Sequence, residues 1–213
     1  MARAFAAASA AADVACLLLR PAPGFADAAI RSAVAHLRAA VQGRELAILL
    51  EDRVDLVTSA AADGVHLGLP VAYDEARRRL GPELIVGVSC GTRDEAIAVA
   101  EHGADYVAFG EFDDPSPRPA ALELMEWWAE IMTVPCVGTG CGSARDAARL
   151  AAAGADFVAS AREPGTFSRT SRPRSAVPPC RGGRRPPLQL CDHGHWTTVG
   201  FRYIKTLLYS YKL

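Results

Sequence analysis

Gly138-Thr139-Gly140-Cys141-Gly142-Ser143 is the stretch of this chain whose residue types speak most directly of chemistry. Residues this small let backbone N–H groups close in on an anion, and a helix starting near Ser143 would add the positive end of its dipole. Gly138, Thr139 and Gly140 therefore form a candidate phosphate cup, with a tight connection that holds no ligand as the competing reading. Asp52 follows an apolar run and stands beside Arg53. A carboxylate in that place can hold Mg²⁺ carrying a diphosphate, or it can serve as a locally paired acid near a helix start. Arg20 also closes an apolar run, where its guanidinium could grip a phosphate oxygen through two N–H groups or merely end the run. Asp113-Asp114 are weaker metal candidates, since acids before proline-rich turns are usually solvated. His66, alone in Gly-Val-His-Leu-Gly, reads more readily as structural, and Trp127-Trp128 as packing on an amphipathic helix.

These residues need a scaffold that gathers the ends of many strands. From about residue 12 to 161 the sequence alternates short β-type runs with stretches of helical period. The runs are Val14–Leu19, Leu46–Leu50, Gly64–Leu67, Leu84–Ser89, Tyr106–Gly110, Val134–Thr139 and Phe157–Ser160. They are almost continuously apolar, as in parallel strands covered on both faces by helical crossovers. Thr92 and Ser143 suit helix N-caps, and Gly103 and Gly154 suit helix stops. Gly-Ala-Asp recurs at 103–105 and 154–156, and with Ala62-Asp63-Gly64 it suggests one turn chemistry used three times.

Seven strands fall one short of a closed (β/α)₈ barrel, and no glycine-rich dinucleotide loop follows the first of them. The expected fold is therefore an α/β TIM (β/α)₈-type barrel lacking its first strand, which would precede Met1, and lacking a regular last helix. Ring order then brings Arg20, Glu51-Asp52, His66, Ser89, the Glu111–Asp114 loop, the glycine turn and Ser160 to one end.

Charge divides the chain. Residues 1–165 hold 14 arginines, no lysine and 23 acids, whereas residues 166–213 hold seven arginines, both lysines and one acid. The expected organisation is a barrel domain over 1–162 and an irregular basic tail over 163–213, for which a shifted reading frame, disorder and a linker with an appendage remain alternatives. Because the tail's composition stands apart, its basic charge is not read as a nucleic-acid site, and Cys191-Asp192-His193-Gly194-His195 is too isolated for a metal site. No run is apolar over the roughly 18–20 residues of a membrane span. Six scattered cysteines fit reduced thiols in a cytoplasmic protein, and the alanine-rich start fits a helix better than a transit peptide.

Four segments carry a resemblance. LLEDRVDLVTSAAADGVHLG, LGPELIVGVS, EHGADYVAFG and VPCVGTGCGSARDAARLAAAGADFVAS resemble, in order, stretches of the thiamine-phosphate synthase and thiazole tautomerase family. The resemblance implies a TIM barrel in which a pyrimidine methyl diphosphate loses pyrophosphate and the cation is captured by the nitrogen of a thiazole phosphate. It implies Mg²⁺ at Asp52, diphosphate contacts from Ser89 and from Arg20, and a thiazole phosphate held around Gly140 with help from Ser160. The partners would be small phosphorylated heterocycles, with no nucleic acid and no membrane.

The chain also departs from the family pattern. Cys16 and Arg20 stand where the family has Gln-x-x-x-Lys, and Glu51 replaces an asparagine. Leu69-Pro70-Val71 stands where Gln-x-Asp carries a second metal ligand, and EFDDPSPRP leaves Arg118 as the nearest cation in its loop. The expected function is a thiamine-phosphate synthase-like transferase whose activity is retained, reduced or altered. A non-catalytic phosphate-binding barrel, or a non-functional truncated product, is the alternative.

Overall fold

The structure is a computed structural model that describes residues 14–43 and 46–160, together with backbone strands at 188–190, 196–198 and 205–212. Seven strands arise where the apolar runs predict them. They are β1 (Val14–Arg20), β2 (Ala47–Glu51), β3 (Gly64–Leu67), β4 (Ile85–Ser89), β5 (Tyr106–Phe109), β6 (Cys136–Gly138) and β7 (Phe157–Ser160). The helices between them are α1 (Asp27–Ala40), α2 (Tyr73–Leu80), α3 (Arg93–Glu101), α4 (Pro119–Ile131) and α5 (Ala144–Ala152). Thr92 caps α3 reciprocally: its hydroxyl accepts from Glu95 N–H, and Glu95 Oε2 accepts from Thr92 N–H. Ser143 caps α5 by accepting from Asp146 N–H at 3.2 Å.

With β10 (Lys205–Lys212) the parallel strands close into a barrel in the order β1, β10, β7, β6, β5, β4, β3, β2. This closing strand is paired in parallel with β1 from Val14↔Thr206 to Arg20↔Lys212 and with β7 from Lys205↔Phe157 to Tyr209↔Ser160. The slot for which the sequence offered only a strand ahead of Met1 is thus filled from the far end of the chain. A ring has one position between its last and first strands, and a parallel segment placed there satisfies the backbone edges of both neighbours. β8 (Leu188–Leu190) and β9 (Trp196–Thr198) form a separate antiparallel pair. Among the described residues no helix follows β7. The 191–195 cluster, the alanine-rich start and the expected boundary near residue 162 lie outside the described residues.

The three related turns perform one task at the opposite end from the glycine turn. Asp63, Asp105 and Asp156 each donate their N–H to a carbonyl on the preceding strand, at Ile48, Val86 and Cys136. Their carboxylates then accept the N–H of those same three residues at 2.7, 2.8 and 2.9 Å. Each aspartate thereby replaces a missing ladder partner, tying β2 to β3, β4 to β5 and β6 to β7. Arg38 pairs with Asp63 and Arg77 with Asp105 on the outer side.

Two apolar clusters follow from the period-two alternation of strands. One packs the outer sheet face against the helices and includes Leu17, Leu19, Ile48, Leu50, Val86 and Trp128. The other fills the barrel interior with Leu18, Leu49, Tyr106, Ala108, Val137 and Ala159. Inward parity runs on through Arg20, Glu51, His66 and Ser89, so the polar residues at the strand ends continue the stack that the interior begins.

Candidate functional site at the carboxyl end of the barrel

Arg20 is the centre of charge in the mouth of the barrel. Its Nε donates to Glu51 Oε1 at 2.7 Å and its Nη1 to Asp113 Oδ1 at 3.0 Å, while its Cζ lies 5.3 Å from the centroid of the Phe112 ring. Burial draws the guanidinium down, and Asp113 and Glu51 outweigh burial to hold it above its ordinary value. For Glu51 burial prevails: the carboxyl is raised even though Arg20 opposes the shift, with Asp52 and Asp113 adding to it. Asp113 is thus not merely a solvated acid before a proline turn. Asp114 pairs with Arg118 at 2.6 Å, which engages the loop's one cation internally.

Asp52 leaves β2 in the left-handed region, at φ 53°, a conformation that aspartate tolerates better than most residues. Its Oδ1 accepts the Gly68 N–H at 2.8 Å. The neighbouring Arg53 turns away to pair with Asp27 and Asp55, so a local Asp52–Arg53 pair does not form. Magnesium takes hard oxygen ligands, retains several waters and commonly uses one or two carboxylates beside substrate phosphates. Asp52 fits that pattern as a single protein ligand; among the described residues no group of three His, Cys, Asp or Glu side chains could cage an ion. Leu69 and Val71, which follow Gly68, are exposed apolar residues.

His66 is fully buried, with Nδ1 2.9 Å from the Tyr106 hydroxyl and Nε2 3.0 Å from Ser89 Oγ. Burial, aided by Arg20, pushes its pKa down to about 3, so the ring is neutral across the physiological range. Burial also raises the Tyr106 hydroxyl well above its ordinary value. Sequence reading missed Tyr106 as part of this site, and it gave Phe112 no role although its loop was expected at this end. The inward parity of Tyr106 was the available signal, but it requires the strand register.

The glycine turn leads from β6 into α5 as expected. Thr139 Oγ1 donates to the Phe109 carbonyl at 3.0 Å, and Ser160 Oγ donates to the Cys141 carbonyl at 3.2 Å. Both hydroxyls therefore shape the turn. Among the described residues no acceptor meets the N–H groups of Gly140, Cys141 and Gly142. A Cβ on Gly142 would lie 2.1 Å from the Pro115 carbonyl oxygen, so this glycine also makes room for the loop after β5. Burial pushes the Cys141 thiol up to about 11, which keeps it protonated and unsuited to nucleophilic work. Trp128 is packed in the outer core with its Nε1 donating to Val134 O, and Trp127 stacks under Arg93, as packing residues do. Among the described residues no helix is long and apolar enough to cross a membrane.

Comparison with known proteins points to one family. A family profile described as thiamine monophosphate synthase matches residues 2–163. A thiamine-phosphate synthase from Rhodospirillum centenum is 44% identical over 180 residues, covering 81% of this chain and 84% of that protein. One from Hyphomonas neptunium is 39% identical over 151 residues, covering 67% of this chain and 66% of that protein. Among solved structures, the thiamine phosphate pyrophosphorylase from Pyrococcus furiosus superposes with a TM-score of 0.57 at 21% identity, over 68% of this chain and 84% of that one, and shares the fold. This chain belongs to the thiamine monophosphate synthase family.

Proposed function

We propose that this chain is a cytoplasmic thiamine-phosphate synthase-like transferase that joins a pyrimidine methyl diphosphate to a thiazole phosphate. The observation that carries the reading is the convergence of Arg20, Asp52, Ser89 and the glycine turn at one end of a barrel of this family. The pyrimidine methylene–oxygen bond breaks, its electron pair leaves with pyrophosphate, and the thiazole nitrogen supplies the pair for the new carbon–nitrogen bond.

Arg20 would meet the diphosphate with N–H groups now directed at Asp113, and Ser89 would contribute a hydroxyl beside it. The N–H groups of Gly140, Cys141 and Gly142 would hold the thiazole phosphate at the start of α5, while Gly138 stays in the β6 ladder, the Thr139 N–H is spent on the Phe109 carbonyl, and the Thr139 and Ser160 hydroxyls fix the turn. Mg²⁺, when bound with the diphosphate at Asp52, would neutralise charge developing on the leaving group. A neutral His66 leaves the cationic work to Arg20.

A second reading, a non-catalytic phosphate-binding barrel, is favoured by Leu69-Pro70-Val71, which brings no carboxylate to the rim beside Asp52. Full-length protein incubated with both precursors and Mg²⁺ is expected to release thiamine phosphate and pyrophosphate. No turnover with retained binding of thiazole phosphate would establish the second reading, and binding of neither precursor would sink both.

A further inference from the structure

The hydrogen bonds of His66 have a direction. In register, His66 lies beside Gly87, and Gly87 beside Tyr106. A Cβ on Gly87 would fall 1.9 Å from Tyr106 Cζ, so the absent side chain is what lets the two rings meet across β4. They stack 5.7 Å apart, 15° from parallel, with the hydroxyl on His66 Nδ1. Ser89, one inward position nearer the mouth on β4, meets the other ring nitrogen.

The Tyr106 hydroxyl is enclosed by the barrel interior, and among the described residues its hydrogen-bond partner is His66 Nδ1. A buried hydroxyl proton needs such a partner, so Tyr106 donates and Nδ1 accepts. A neutral imidazole then carries its one proton on Nε2, which donates to Ser89 Oγ. Neutrality follows from the same bond, because a ring nitrogen that accepts from Tyr106 carries no proton. With Ser89 accepting from the ring, its own O–H is left to donate into the mouth. A serine activated as a nucleophile requires the reverse, an unprotonated Nε2 facing the hydroxyl and an acceptor behind Nδ1. Here the group behind Nδ1 is a phenol.

We propose that Tyr106 and His66 are positioning residues that hold Ser89 as a hydrogen-bond donor toward an anionic oxygen of the substrate. Identifying that oxygen with the diphosphate rests on the function proposed above; the direction of the relay rests on the bonds alone.

Nitrogen-15 NMR of the full chain with labelled histidine reads the relay directly, the His66 signals being those lost in His66→Asn. The expected state is a neutral ring protonated on Nε2. A ring protonated on Nδ1, or on both nitrogens at neutral pH, would overturn the proposal whether or not the protein turns over its precursors, so failure here and failure of the proposed function remain separable. Kinetics supply the second readout. Tyr106→Phe keeps the ring that Gly87 accommodates but releases Nδ1, and it should lower kcat/KM for the pyrimidine diphosphate by roughly tenfold, the scale of one hydrogen bond to a charged group. Ser89→Ala added to Tyr106→Phe should then cost less than about twofold more. Fully additive losses would show that Tyr106 does not act through Ser89.

Discussion

Arg20 Nη1 lies 3.0 Å from Asp113 Oδ1, although β1 and β5 stand on opposite sides of the ring of strands. The loop after β5 therefore reaches across the mouth and takes hold of the cation proposed to meet the diphosphate. Phe112 stacks on that cation from the same loop. An incoming anion must compete with Asp113 for Arg20.

Removing the competitor should help the anion. Asp113→Asn keeps an acceptor oxygen but drops the charge, so inorganic pyrophosphate with Mg²⁺ should bind roughly two- to fivefold more tightly, the range of a half-exposed ion pair. Calorimetric titration measures this. Unchanged or weaker binding would take Arg20 out of the anion site.

The pKa of His66 links stability to acid. Its folded value of about 3 lies below its ordinary 6.5, so the unfolded chain binds the extra proton. The stabilisation is complete above the unfolded pKa and is lost as pH falls from there toward the folded one. Between about pH 6.5 and 5 the loss should approach ~2 kcal/mol. Urea unfolding at neutral pH and at about pH 5 should show this slope in the native chain and a flatter one in His66→Gln. Equal slopes would contradict the burial of a neutral ring.

Gly142 leaves no room for a side chain beneath the Pro115 carbonyl. Gly142→Ala should cost about 1–3 kcal/mol through displacement of the loop, as overpacked sites do. Affinity for thiazole phosphate should fall with it, because the turn and the loop share this contact. Unfolding free energy and binding checked together would expose the idea as wrong if both stayed unchanged.

At the other end, Asp105 serves both Val86 N–H at 2.8 Å and Arg77 at 2.6 Å. Asp105→Ala strands a backbone donor between β4 and β5 and should destabilise the fold by about 2 kcal/mol. Affinity for pyrophosphate should not change, since the site lies at the opposite end of the strands. Denaturation and binding measured on one preparation separate these effects.

Seven strands, their parallel character, the caps at Thr92 and Ser143 and the aspartate turns were legible in the sequence, because apolar period, capping chemistry and turn residues act over a few neighbouring residues. So was the end of the barrel at which Arg20, Asp52, Ser89 and the glycine turn gather, since a parallel strand–helix alternation sends every strand end the same way. Register and closure were not. The Arg20–Asp113 bond joins residues 93 apart in the chain, and the His66–Tyr106 contact depends on a glycine in the strand between them. The strand that fills the last slot is equally a matter of closure: a ring needs one parallel partner between β7 and β1, and nothing local to either strand says that it comes from residues 205–212. Local chemistry decided which elements form and which way they point, and only the closed ring decided which side chains meet across it.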